Sequence, residues 1–364
     1  MTFGKTIILS ALVLAAGFPA GCRGTNTLAV SSGRDNGGVY SLRNDPPEKL
    51  TALPTMNYLI RDPADPDRYY GTVSRHPHKK TPDGVVAVLG KRFGSLIQLQ
   101  LVSAGGRTPC HLTISPDGKF LYTANYSSGD VSELPLHRGR ISGPPRMIRH
   151  EGQSVTRRQL SPHPHFVTFN PADGRLYVCD LGTDQIWIYD WSPETGVRLP
   201  CLERLAMPPG SGPRHLAFDP SGNILYTANE LNSTAASFVR KSPAEPWQFG
   251  EVHPTVSEPL NGTRNSPGAI KITRDGRFFF ITNRGHDSIA MFAADGNGKF
   301  KLLEAVPSRG KFPSDILFDE TETELLAIHL KSGTVTTFAF DPVKRTLTPK
   351  PGERKVPQGI GLCR

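Results

Sequence analysis

Residues 215–238 read HLAFDPSGNILYTANELNSTAASF. A short strand with polar and apolar positions ends at a turn of Asp219, Pro220, Ser221 and Gly222. A nearly unbroken apolar run follows from Ile224 to Ala228, as expected of a strand buried on both faces. A small polar corner then leads into a third strand.

Five other segments share this layout: 57–74, 111–134, 165–189, 269–292 and 315–338. Each has a strand, a Pro/Asp/Gly-rich turn and a second strand of two apolar residues and a Tyr or Phe. All but the first pass through a polar corner directly into a third strand. The residue before each second strand is Arg68, Lys119, Arg175, Asn223, Arg277 and Glu324, in steps of 51, 56, 48, 54 and 47 residues. Several short strands repeated about every fifty residues predict a β-propeller, because one such unit cannot bury its own faces. The stretch 27–45 supplies two more strands and 355–364 one. The expected fold is all-β: a seven-bladed β-propeller of four-stranded antiparallel blades, its ring closed by N- and C-terminal strands. No linker divides it, so 27–364 reads as one domain.

Composition agrees. The 364 residues are 37% hydrophobic and 21% charged, with 36 Gly and 33 Pro, which excludes a disordered chain and a multi-span helical membrane protein. The net charge is +9. The Lys and Arg are scattered, with only short doublets such as Arg157-Arg158, so no nucleic-acid partner is expected. The excess suits an anionic small substrate and solubility.

Residues 1–22 read as a secretory signal peptide: Lys5, an apolar run over 6–18, then small residues. Ala20-Gly21-Cys22 matches the end of a lipoprotein processing site, making Cys22 a candidate lipid anchor and the only membrane contact expected. Export, to the periplasm, the cell envelope or the medium, is the expected localisation. Cys110, Cys179, Cys201 and Cys363 show neither CxxC nor zinc spacing and read as buried free thiols.

In a tight antiparallel hairpin, paired positions sum to a constant. Around Gly222 this sets Arg214 beside Glu230 at the open end of the hairpin. The same construction sets Cys110 and His111 against Asn125 and Tyr126, and His165 against Asp180 and Leu181. It sets Gly268 against Arg284, and Asp315 against the region of His329. With the first strand of each unit innermost, these residues ring one mouth of the central channel, where end loops supply chemistry on a rigid frame. Asn125 and Asp180 also suit plain corner caps. His111 and His215 suit satisfied structural histidines. Arg214, Glu230 and Arg284 are long for corner caps, and an Arg–Glu pair also suits a structural bridge across the rim.

The segments TPCHLTISPDGKFLYTANYSSG, PHPHFVTFNPADGRLYVCDLGTDQI, GPRHLAFDPSGNILYTANELNST and DGRFFFITNRGHDSIAMF closely resemble the seven-bladed lactonase family. That family contains propeller-type 6-phosphogluconolactonases and carboxy-cis,cis-muconate cyclase. The resemblance implies a site of one His, two Arg and one Glu, matched here by His165, Arg214, Arg284 and Glu230. Around it, His111, His163, His215, Asn125, Asp180 and His286 are candidate substrate contacts. The His cluster lacks a carboxylate at ligand spacing, so no metal is expected, and the chemistry requires no cofactor. Two stretches depart from the family: RYYGTVSRHPHKK in the first unit and AIHLKSG in the last.

The resemblance implies a hydrolase that opens a sugar-derived or carboxylate-bearing lactone. His165 is the favoured proton-transfer group, with Glu230 as its partner and Arg214 and Arg284 serving the oxyanion and a substrate anion. A lactonizing cyclase of the muconate type would use the same groups in reverse. A non-catalytic exported binding module is the third reading. Phosphogluconolactone is a cytosolic metabolite, so an exported enzyme points to another substrate.

Overall fold

A computed structural model of the chain describes residues 27–76, 81–258 and 260–364. The expected leader, with Cys22, and residues 77–80 of the departing first-unit stretch lie outside the described residues.

Among the described residues the strands form seven antiparallel blade sheets, each with one strand innermost at the channel, and a separate two-stranded ribbon, Trp191–Ser192 with Gly196–Val197. The blades are numbered 1–6 by their innermost strands: Met56–Asp62, Pro109–Ile114, Pro164–Phe169, Pro213–Phe218, Ser266–Ile272 and Pro313–Phe318. These six and the closing strand Gly359–Cys363 touch their neighbours in an unbroken circle. The closing blade differs from expectation by one strand. Leu28–Ser31, Gly38–Ser41 and Glu48–Ala52 all come from the N-terminal side, joined to the single C-terminal strand. The third strand was hidden because EKLTA has only one buried residue, Leu50. Pairing of Leu28 with Cys363, Ala29 with Leu362 and Val30 with Gly361 fastens the ring.

The core lies between blades. Tyr177, Ile186 and Ile188 of blade 3 pack on Leu216, Leu225 and Phe238 of blade 4. The recurring second-strand aromatics Tyr70, Tyr122, Tyr177 and Tyr226 are all fully buried. Such a side chain stabilises by roughly 1.5–3 kcal/mol when taken out of water. Three of their hydroxyls reach buried carboxylates: Tyr70 to Asp62 at 3.1 Å, Tyr122 to Glu133 at 2.8 Å and Tyr177 to Asp173 at 2.9 Å. The turns are built as their sequence demands. In blade 4, Gly222 takes φ +67°, and Oδ1 of Asp219 accepts the backbone N–H groups of Asn223 and Ile224.

One irregularity recurs in every blade and decides where the site lies. The innermost strand carries an extra residue near its upper end. Pro109 pairs with Asn125 and His111 with Ala124, which leaves Cys110 bulged. The same offset leaves Asn57, His165, Arg214, Ser314 and Ile360 as the extra residue, and in blade 5 it falls within Gly268-Ala269. The simple hairpin sum therefore misses the pairing at the open end by one or two residues. Gly212, not Arg214, lies across from Glu230 and accepts its backbone N–H, and Pro164, not His165, faces Asp180. Ser266, not Gly268, faces Arg284, and Pro313, not Asp315, faces His329. A bulge turns its residue out of the pleat toward the axis.

Candidate active site

Two kinds of position converge at the upper mouth: the bulged residue of the first strand, in every blade but the fifth, and the residue just after the second-strand corner, in blades 2, 4 and 5. In blades 2–5 the corner residues themselves are Asn125, Asp180, Asn229 and Asn283, all fully buried. Asn125 donates to Asp130 at 2.8 Å and Ser132 at 2.7 Å, and Oδ1 of Asp180 accepts the backbone N–H groups of His163, Gly182 and Thr183. Asp180 also bonds Nδ1 of His150 at 2.7 Å. Asn125 and Asp180 are thus corner caps, and neither reaches the channel mouth as a substrate contact would. The next residues, Tyr126, Glu230 and Arg284, do reach it.

They enclose a cavity of about 320 Å³ on the axis. Its centre is Glu230. Nη1 of Arg214 and Nη2 of Arg284 each donate to Oε2 at 2.6 Å, and Nη1 of Arg158 donates to Oε1 at 2.5 Å. Nη1 of Arg214 also lies 2.5 Å from Nε2 of His165, and the Arg214 Nε is buried without a hydrogen-bond partner among the described residues. Arg284 is fixed further by the carbonyls of Ser266 and Pro267 at 2.9 and 3.1 Å. The four residues expected from the sequence are therefore one bonded cluster drawn from blades 3, 4 and 5.

Electrostatics set their states. Burial alone would raise the Glu230 carboxyl, but Arg284, Arg214, His165 and Arg158 outweigh it and hold it well below the usual carboxylate range. Glu230 is a fixed anion and a poor base. Burial, then the charges of Arg214 and Arg284, hold His165 well below its ordinary value against the pull of Glu230. Its ring is neutral, and a guanidinium donating to Nε2 places the proton on Nδ1, which lies 3.8 Å from the thiol of Cys110. Burial, with Arg214 adding and Glu230 opposing, pulls Arg284 down to about 10, so it keeps its charge at neutral pH.

The remaining candidates separate. His215 lines the cavity, its ring 5.5 Å from that of His165. His111 lies below, between Tyr58 at 4.2 Å and Phe166 at 4.0 Å, with its Nδ1 accepting from the backbone of Val167. Burial holds both rings well below the ordinary histidine value. His163 stacks on Tyr126 at 4.5 Å and donates from Nδ1 to its carbonyl, so it braces the wall. His286 bonds Ser288 beside the corner and does not line the cavity. His329, in the departing AIHLKSG stretch, takes the corner position of blade 6 and is fully buried. Among the described residues, no three His, Cys, Asp or Glu converge to hold a metal ion. The four cysteines are free, with Cys110 and Cys201 only half-buried. Burial, partly opposed by Arg214, pushes the Cys110 thiol up to about 12.

Sequence reasoning missed Arg158 and Tyr58 as lining residues, whereas Asp315, which the hairpin construction sets at the mouth, does line it. Arg158 sits on the 3-10 turn Arg157–Gln159, in a loop outside the repeat, and its only sequence signal was a basic doublet. A larger hollow of about 550 Å³, bordered by Arg277, Phe300 and Val343, lies between blades at the opposite end and gathers no comparable cluster.

Residues 30–362 match the family described as Lactonase, 7-bladed beta-propeller. The chain is 32% identical over 329 residues to a 6-phosphogluconolactonase of Bacillus subtilis (strain 168), covering 89% of this chain and 93% of that protein. Among solved structures, a periplasmic gluconolactonase of Pseudomonas aeruginosa superposes with a TM-score of 0.82 at 25% identity, covering 93% and 98% of the two chains. A putative 6-phosphogluconolactonase of Bacteroides fragilis NCTC 9343 gives 0.81 at 26%, covering 95% and 99%. With the ring, the cluster and these likenesses together, the chain belongs to the seven-bladed β-propeller lactonase family.

Proposed function

We propose that this chain is an exported lactonase that hydrolyses a sugar-derived lactone bearing an anionic group. The observation that carries this reading is the joining of neutral His165 to Arg214, Glu230 and Arg284 inside one axial cavity. Opening a lactone requires a base for water and preorganised donors for the oxyanion. The carbonyl oxygen of an entering lactone competes with His165 for Arg214. Nε2 is then free to take a proton from the attacking water. The water oxygen bonds to the carbonyl carbon while the carbonyl electron pair moves onto oxygen, facing Arg214 and Arg284. Collapse breaks the bond to the ring oxygen, which leaves with the proton held on Nε2. One water is consumed and one hydroxy acid released. Glu230 holds the guanidiniums in place and transfers no proton.

Three guanidiniums around one carboxylate leave a net positive cavity, which suits a substrate carrying carboxylate or phosphate. Export rests on the signal-peptide pattern of residues 1–22, and one structural relative is itself named periplasmic. The test is a panel of glucono-, phosphoglucono- and carboxylated lactones, followed by acid release, with cis,cis-muconates followed by ultraviolet absorbance. Turnover of a lactone that is lost in His165→Ala is expected. Turnover of muconates alone would establish the cyclising reaction instead, and no turnover of any compound would overturn the enzymatic reading.

A further inference from the structure

We infer that Arg158, with Tyr126, forms a separate subsite that reads an oxyanion group on the substrate remote from the reacting carbonyl. The inference rests on the lactonase reading and adds the residue that selects the substrate.

Three observations carry it. The first is charge. Arg214 and Arg284 already give Glu230 two guanidinium partners at 2.6 Å, so a third cation is not needed to keep it ionised. The other cavity carboxylate, Asp315, is raised by burial, against the opposing charge of Lys271, and its oxygens accept the backbone N–H groups of Ile316 and Leu362. Arg158 is therefore surplus positive charge in a half-closed cavity, a costly arrangement until an anion completes it.

The second is exposure. The Arg158 side chain is 38% exposed, against 14% for Arg214 and 9% for Arg284. Its contacts are one donor to Glu230 and one to the Tyr126 hydroxyl at 2.8 Å. Of the roughly five N–H groups of a guanidinium these bonds use two, and the rest, on a residue that lines the cavity, suit bidentate capture of carboxylate or phosphate.

The third is origin. Arg214 and Arg284 grow from the strand frame, but Arg158 is held by a loop. Ser154 Oγ donates to Asp184 at 2.6 Å, and the buried Gln159 amide donates to the Leu181 carbonyl at 2.9 Å. These bonds fix the turn while Val155 and Leu160 stay exposed. A catalytic centre on the frame and a selecting group on an anchored loop is the division expected when substrate choice varies over a constant reaction.

The test measures binding of three ring-opened acids by calorimetry: gluconate, glucarate with a second carboxylate, and 6-phosphogluconate with a phosphate. The wild type is expected to prefer at least one of the doubly anionic acids over gluconate by tenfold or more, and which one identifies the group read. Arg158→Gln should collapse that ratio to below threefold, Arg158→Lys should restore part of it, and Tyr126→Phe should lower it severalfold. A wild type without preference, or a preference that survives Arg158→Gln in a variant that melts like the wild type, overturns the inference. Binding is scored as a ratio and without turnover. Failure here therefore leaves the lactonase reading standing, and absence of turnover leaves the subsite to be judged by its own ratio.

Discussion

Nη1 of Arg214 donates to Nε2 of His165 across the boundary between blades 3 and 4, at 2.5 Å. Both are bulge residues, each the extra member of its innermost strand. The same irregularity in two neighbouring blades therefore turns two side chains toward each other. The contact fixes the neutral tautomer of the histidine and sets the proposed base beside the proposed oxyanion donor.

Replacing His165 by Ala removes the proposed proton acceptor and leaves the arginine cluster. The expected loss is in kcat, by about 10²–10⁴-fold, the usual contribution of a positioned acid–base group. KM should move much less, because the anion-binding charges remain. Steady-state kinetics on the best lactone of the panel decide it, and a loss confined to KM would remove His165 from the proton-transfer role.

Glu230→Gln should be more damaging to the fold. The amide keeps the shape but removes the one anion shared by three guanidiniums. Breaking a buried ion pair from one side costs about 3–5 kcal/mol. The melting temperature should fall clearly, and activity should fall with it as Arg214 and Arg284 separate. High salt should recover part of the melting temperature by supplying anions. A variant that melts like the wild type would show that the cluster is not held by this carboxylate.

The ring and most of the site were legible in the sequence because both follow from a repeat. A strand, a polar turn and a buried second strand recur in every blade, with a fully buried Tyr in blades 1–4, and Arg214, Glu230 and Arg284 stand out as long charged groups close to the corners that Asn229 and Asn283 cap. Register was not legible. A bulge leaves no composition signal beyond the Pro that precedes it at 109, 164, 213, 267 and 313, so the hairpin sum missed the pairing by one or two residues. Arg158 was not legible either, since a loop outside the repeat has no periodic partner to be compared with.

Gly268→Ala tests the bulge of blade 5 directly. This is the bulge with no side chain of its own, and Arg284 occupies the space. A Cβ there would lie 2.5 Å from Thr282 Oγ1, 3.3 Å from Arg284 Nε and 3.4 Å from its Cδ. Thr282 Oγ1 accepts the Ala269 N–H, so it cannot move away without loss. The strand or the guanidinium must shift. Activity should drop by at least tenfold with the overall ring intact by circular dichroism, and wild-type kinetics would show that Arg284 has room to spare.

The buried histidines and Glu230 give the protein an acid-sensitive site. Burial, together with neighbouring cations, holds His111, His165 and His215 well below the ordinary value of 6.5 in the folded state. Between that depressed value and 6.5 the unfolded chain binds protons that the folded chain refuses. Their contribution to stability is therefore complete above pH 6.5 and is lost as pH falls below it. Glu230 is held below its ordinary 4.5 by its arginines, so it adds a second loss of the same sign as pH falls below 4.5. Asp315, raised by burial, acts in the opposite direction but is one group against four. The melting temperature should be level from pH 8 to about 6.5, decline from there toward pH 5, and steepen below pH 4.5. The acid limb of kcat/KM should lie below 6.5, since His165 stays neutral to a lower pH than a free histidine. A melting temperature that holds steady from pH 8 to 4 would mean that these rings are not buried neutral in solution. An acid limb at or above 6.5 would assign the base to a different group.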